Sequence, residues 1–389
     1  MELQEADRVI RCDFCRVHHV IIARPYPVLH IPPRAEGDIH YAPYWRFRGA
    51  AYSLQNRGVR HKLIDASKAA IKMRGLPFSL GLRAQTQPLR FVQPSTSGAF
   101  LLPQQEGKPM FTTPNGPAPA GGRAGAGQVR ALVGDIMSLI YAPLVLDNAG
   151  ASDGLTGKRL RRLDPGEVRS LPQAADKDRI RFLPALCPGC GWDLKGEKDS
   201  LAHLCEGCGR IWIAESGELV PVETGVYGSG PGADLCLPVW ELEAESSVLP
   251  VNSRGEIQRL TDTATANAQK NDPFAFRVPA FKINPKLFLR LARQASFLPA
   301  QGARPGPGLE DTLHPVSLPC SEAAEALPVL ICHLARNKRK IASLFPDETL
   351  RVRKRRLLFL PFRKAGSEFV QQEAEFAVPA KALFFARSL

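Results

Sequence analysis

Two short cysteine pairs constrain this chain more than any other feature. Cys187-Pro-Gly-Cys190 and Cys205-Glu-Gly-Cys208 are separated by fourteen residues, and each is followed directly by glycine, Gly191 and Gly209. Two thiolates on one tight turn reach a single ion from one side. The glycine supplies the positive φ that the turn needs, and backbone N–H groups then point at sulfur. A second such turn closes a tetrahedron. Four thiolates leave no open coordination position, which is the arrangement of a structural Zn²⁺ site rather than a catalytic one. The chain has 389 residues and nine cysteines, too few for a disulfide scaffold of this length. Six of the nine sit in C-x-x-C pairs, which in a reducing compartment reads as metal binding.

Over residues 183–221 the sequence resembles a zinc ribbon, the group that includes transcription-factor ribbons and rubredoxin-like knuckles. The resemblance covers about a tenth of the chain. It implies Cys187, Cys190, Cys205 and Cys208 as the metal ligands and nothing further. His203, beside the second pair, reads as a surface residue, since four thiolates already fill the site. Zinc ribbons serve in transcription factors, nucleic-acid enzymes and plain interaction modules, so the resemblance does not fix a function.

A third pair stands near the start, in Val9-Ile-Arg-Cys12-Asp-Phe-Cys15-Arg16-Val-His18-His19-Val-Ile21. Laid on Leu204–Ile213, its cysteines and apolar flanks coincide with the second half of the ribbon. It has no upstream C-x-x-C, and Arg16 replaces the turn glycine. Three readings stand side by side. His18 or His19 completes a second metal site with distant ligands such as Cys320 or Cys332; or the pair is the remnant of a degenerate ribbon; or the first half lies upstream of Met1. Cys236, Cys320 and Cys332 lie in apolar contexts and read as small buried hydrophobes.

The rest of the chain reads as an α+β protein: duplicated β-rich units with flanking helices and the four-cysteine ribbon inserted. Proline followed by alternating large apolar residues recurs in Tyr41–Arg48, Tyr141–Asp147, Leu237–Glu243, Val278–Ile283 and Leu360–Lys364, the first two sharing the tripeptide Tyr-Ala-Pro. Each is expected to be a strand with its proline near the start, where a missing N–H is tolerated. The irregular spacing excludes a solenoid. Helices are expected at Val129–Ile140, from apolar spacing, at Asp65–Lys72, from Asn284-Pro285 onward, and near Ser321. Strict βαβ alternation is missing, which argues against a doubly wound sheet. The expected divisions are an N-terminal β-rich unit (1–101), a Pro/Gly-rich flexible linker (102–128), a helix-containing connector with the second Tyr-Ala-Pro strand (129–182), the ribbon (183–221) and a C-terminal α+β unit (222–389). A second loop-rich gap falls at Gln301–Leu313.

Charge and missing motifs narrow the function. Hydrophobic residues make up 44% of the chain and charged residues 23%, which excludes bulk disorder. Met1–Arg8 is polar and acidic, unlike a secretory signal, and no apolar run reaches the ~18 residues of a membrane span. A cytoplasmic protein is expected. The net charge is +13, and Arg336–Lys364 holds eleven Lys and Arg against Asp347 and Glu348. Arg351, Arg353 and Arg355 would share one strand face, with Lys354 and Arg356 on the other, giving a candidate polyanion surface. It competes with the reading of a solvated edge strand, whose charge discourages edge-to-edge pairing. H-E-x-x-H is not found, and neither G-x-S-x-G nor S-x-x-K stands in a convincing context. Gly154-Leu-Thr-Gly157-Lys158-Arg159 fails as a phosphate loop, because its first glycine is misplaced and Arg159 stands where Ser or Thr would hold Mg²⁺. The leading expectation is a zinc-binding, non-enzymatic interaction or assembly protein with a protein partner. The second is a nucleic-acid-associated factor using residues 336–364, and the third an enzyme of unrecognised type.

Overall fold

The fold is taken from a computed structural model that describes residues 5–386 apart from 15, 23–25, 56–57, 108, 113–129, 175–180, 216, 229–231, 262–269, 300–302, 306–311, 346–349 and 374–375. In chain order, β1 (Val9–Arg11) and β2 (His18–Ile22) form a hairpin. A large sheet follows: β3 (Val28–His30), β4 (Asp38–Gln55), β5 (Gly58–Ala69), β6 (Arg90–Phe91), β7 (Ala99–Phe100), β8 (Arg130–Asp147) and β9 (Gly150–Asp153). Next, β10 (Arg181–Pro184) returns to pair with β2. β11 (Leu194–Lys195), β12 (Ala202–Cys205), β13 (Ile211–Glu215) and β14 (Glu218–Pro221) make a small antiparallel sheet around the four cysteines. A second large sheet holds β15 (Thr224–Tyr227), β16 (Leu235–Glu245), β17 (Ala275–Pro279), β18 (Ala303–Pro305), β19 (Arg351–Ala365), β20 (Glu368–Gln371) and β21 (Phe376–Pro379). Helices pack between and around the sheets, so the class is α+β and β-rich.

The two large sheets share one wiring. Their main paths run β5-β4-β8-β3-β6 and β17-β16-β19-β15-β18. In both, the first short strand lies parallel to the long last one, while the other main-path neighbours are antiparallel. The register repeats as well. Pro43 lies opposite Tyr141 and Pro143 opposite Tyr41; Pro238 lies opposite Phe359 and Pro361 opposite Cys236. Five residues beyond Pro43 and Pro238, each ladder slips by one residue, after Arg48 in one and Glu243 in the other. The carbonyls of these prolines accept from Ala70 and Ala280 (2.9 Å each). Two residues on, Trp45 Nε1 donates to the Gln105 carbonyl (2.6 Å) and Trp240 Nε1 to the Leu318 carbonyl (2.8 Å). Burying indole on both sheets requires such an acceptor, and both sheets supply it from the same place.

Two expected helices are strands. Val129–Ile140 falls largely in β8, with Val129 outside the described residues. Its apolar spacing mimics a helix because the strand is buried on both faces. Leu132 packs with Trp45 and Phe47, whereas Ala131 and Val133 belong to the core of the second unit. Such a strand lacks polar alternation. Asp65–Lys72 continues β5 as far as Ala69, held along β4 from Arg48↔Asp65 to Tyr44↔Ala69. Of the five proline strings, Val278–Ile283 leaves the sheet after Pro279. There the Ala280 carbonyl instead accepts from the backbone N–H groups of Ser317 and Leu318 (3.0 Å each). The helix Pro285–Ser296 starts as expected: Asn284 Oδ1 caps the Lys286 N–H at 3.0 Å and Pro285 takes the first turn. Cys320–Glu325 and Leu327–Leu334 give the helices expected near Ser321. Most of the segment 102–128, expected to be a linker, lies outside the described residues, as does most of 301–313. The Tyr141–Asp147 string, assigned by sequence to a connector, runs within β8 alongside β4.

The cores join rather than separate the sheets. Ala50, Tyr52, Ala131 and Val133, from the far halves of β4 and β8, sit in one cluster with Trp240, Phe281, Phe288 and Leu330 of the second unit. The Gly134 N–H donates to Glu322 Oε2 across this boundary at 2.9 Å. No helix among the described residues is long and apolar enough to cross a membrane.

A four-cysteine candidate metal centre

Each knuckle is built by its own backbone. The Cys187 N–H donates to the Trp192 carbonyl (2.7 Å), and the Gly191 N–H donates back to Cys187 (2.8 Å). In the second turn the Cys205 N–H donates to Arg210 (2.8 Å) and the Gly209 N–H to Cys205 (2.9 Å). Gly191 and Gly209 carry φ of 76° and 68°, a region that costs an L side chain energy and glycine nothing. The β11–β12–β13 ladder sets the two turns face to face.

The four Sγ atoms lie within 4.8 Å of one another. Cys187 and Cys208 are 3.7 Å apart at sulfur, Cys190 and Cys205 3.4 Å. Disulfide bonds would need ~2.05 Å. A tetrahedron with sulfur–metal arms of ~2.3 Å has edges of about 3.8 Å, so the donor set and spacing fit a metal ion. Cys187 and Cys205 are buried over Val20, Ile22, Ala185, Leu194 and Trp212, while Cys190 and Cys208 face outward. Burial opposes ionisation of the Cys187 thiol, yet backbone N–H groups of Gly189 and Cys190 and the neighbouring thiols lower it overall. Burial and the thiols around it raise Cys205. A metal ion must displace the protons these thiols hold, so binding releases acid.

His203 is a correction. Instead of lying at the surface it is 1% exposed on β12, outside the cysteine cluster. Burial lowers it to about 4, and its Nε2 finds no partner among the described residues. It lines a concavity of about 1030 Å³ between the units, together with Trp240, Cys320, Glu215 and Arg355. Burial raises the Cys320 thiol, against the lowering effect of the nearby Arg355.

The N-terminal pair is partly visible. The Cys12 N–H donates to Val17 and the Arg16 N–H to Cys12, both at 2.9 Å, repeating the bond pattern of the other two knuckles. Arg16 has φ of 60°, the conformation glycine takes in the others. Cys15 lies outside the described residues. His18 is exposed and His19 half-buried on β2, with His19 Nδ1 3.2 Å from the Val17 carbonyl. Among the described residues Cys12, His18, His19, Cys320 and Cys332 form no shared cluster.

Three of the eleven cations in the basic stretch are paired with glutamates. Arg355 forms a bidentate pair with Glu215 (2.9 and 2.6 Å), Arg356 Nε donates to Glu241 (2.6 Å), and Arg353 pairs with Glu245. Arg351 and Lys354 are exposed opposite Glu245 and Glu243 on the ladder. The ladder slip at Arg353 also breaks the face alternation expected from period two. These acids lie more than a hundred residues away in sequence, so no local signal announces them.

No protein-family model matches the chain, and no curated protein and no solved structure matches it either.

Proposed function

We propose that the protein is a zinc-stapled binding or assembly scaffold made of two duplicated β-rich units. The observation that carries this is the closed four-sulfur cluster. Cys187, Cys190, Cys205 and Cys208 would hold one structural Zn²⁺, as in a zinc ribbon, and the ion would cross-link two turns that otherwise have little core beneath them. The common wiring, the matched proline register and the paired Trp45 and Trp240 bonds support the duplication. The β1–β2 hairpin with its knuckle and the β12–β13 hairpin with its own each precede a large sheet, which supports the same reading. On this reading the Cys12–Cys15 knuckle is the remnant of a ribbon half. No catalytic motif stands in a convincing context, which favours binding over catalysis, with a protein partner in the cytoplasm. Elemental analysis of the purified protein tests the metal: about one zinc per chain is expected, lost in Cys205→Ser. A folded protein free of zinc and iron would refute it.

A further inference from the structure

Away from the metal centre, the segment joining β9 to the helix Pro165–Ser170 carries four cations in five residues: Lys158, Arg159, Arg161 and Arg162 around Leu160. All four are exposed, and with Leu160 and Gly75 they line a concavity of about 470 Å³. The loop beneath them is held firmly. Asp153 Oδ1 accepts from the N–H groups of Leu155 and Thr156 (3.0 Å each), and the Asp153 N–H donates to the Lys158 carbonyl (2.9 Å). The Leu160 N–H donates to Ala151, and Leu155 and Leu163 are buried in the core of the first sheet. On the other wall Gly75 (φ 90°) lets the backbone of Arg162 approach so closely that a Cβ there would stand 2.6 Å from the Arg162 carbonyl carbon. The charges are therefore presented by a fixed frame.

Their counter-charge is incomplete. Arg159 is paired with Asp147 at 2.8 Å. Lys158, Arg161 and Arg162 form no ion pair with the described residues, and Arg74 stands exposed beside Gly75. This contrasts with β19, where Arg353, Arg355 and Arg356 are each held by a glutamate. A concavity walled by like charges is self-repelling until an anion enters it.

We propose that the Lys158–Arg162 cradle binds the phosphate backbone of nucleic acid, without reading its sequence. The lining has no aromatic ring to stack on a base and no carboxylate or amide to read a base edge, so its chemistry addresses phosphate alone. The net charge of +13 favours approach of such a polyanion. The proposal is independent of the zinc reading.

Fluorescence anisotropy with labelled duplex DNA across a salt series tests it, comparing wild type with the triple variant Lys158→Gln, Arg161→Gln, Arg162→Gln. Arg159 is left in place because it serves Asp147. Each phosphate contact contributes about 0.9 to the slope of log K against log salt, so removing three should lower it by roughly two to three. Circular dichroism should be unchanged, because these side chains are exposed. Chelated protein should bind DNA as the untreated protein does, which separates the cradle from the metal centre. Unaltered binding by the triple variant, no salt-dependent binding by the wild type, or tighter binding of polyglutamate or a free nucleoside triphosphate than of duplex would each overturn the proposal.

Discussion

Three residues after Pro43 in β4 and Pro238 in β16, each strand buries a charge, and the sign is opposite in the two sheets. Arg46, 4% exposed, is held by Glu5 (2.8 Å) and Asp65 (2.7 Å); Glu241, at the matching place, is held by Arg277 (2.7 Å) and Arg356 (2.6 Å). Burial opposes ionisation of Glu241, but the Arg277 and Arg356 guanidinium groups hold it below its usual 4.5. Removing one partner of such a set leaves an uncompensated charge in a poor solvent, at a cost of about 3–5 kcal/mol. Glu241→Ala should therefore shift the denaturant midpoint by an amount of that order, while Glu245→Ala, whose partner is exposed, should shift it by less than ~1 kcal/mol. A second residue-scale expectation concerns acid. Burial, aided by the nearby Arg90 charge, lowers His30 from 6.5 to about 4. Below the unfolded value the unfolded chain takes up a proton that the folded one refuses. His30 should thus remove about 2–3 kcal/mol of stability as pH falls from 6.5 towards 4. His30→Gln should flatten the stability–pH curve in that window; an unchanged slope would show the ring to be solvated.

At the scale of single elements, the knuckles were legible in sequence because their determinants are local. A C-x-x-C-Gly string specifies its own turn, and Asn284-Pro285 its own helix start. The long strands were only half legible. Where β8 faces solvent on neither side, its apolar positions follow the two cores it touches rather than its own period, and Val129–Ile140 imitates a helix. The same holds for His203, whose burial is set by strands and a helix far away in sequence. The four-cysteine sheet should depend on its ion. Cys205→Ser, or chelation of the wild type, should raise hydrogen exchange across 185–221 and leave β4, β8, β16 and β19 protected. Uniform loss of protection would mean that the ion supports the entire chain.

At the scale of the molecule, the basic stretch 336–364 shows what a linear reading misses. Its charge is plain in sequence, but the glutamates that hold Arg353, Arg355 and Arg356 come from β13 and β16. The shared wiring of the sheets was glimpsed through repeated Pro-aromatic strings, whereas the matched registers and indole bonds appear only in three dimensions. Because Tyr52, Ala131 and Val133 complete the core of the second unit, the two halves should not melt separately. Calorimetry of the zinc-loaded protein should give a single transition for the large sheets. Two resolved transitions would show that this junction is too weak to couple them.

The pair β4 and β8 has one more consequence. Each is 18 residues long, about 60 Å at the usual rise of ~3.3 Å. The near half of the ladder lies in the first unit and the far half is wedged into the second, against the helices Pro285–Ser296 and Cys320–Glu325. The protein thus contains a girder. A pull along the strands that separates the units loads many ladder bonds in shear at once instead of peeling them singly, so such a tug would be resisted stiffly. A sideways load would meet only the contacts at the wedged end, and there the molecule should give first.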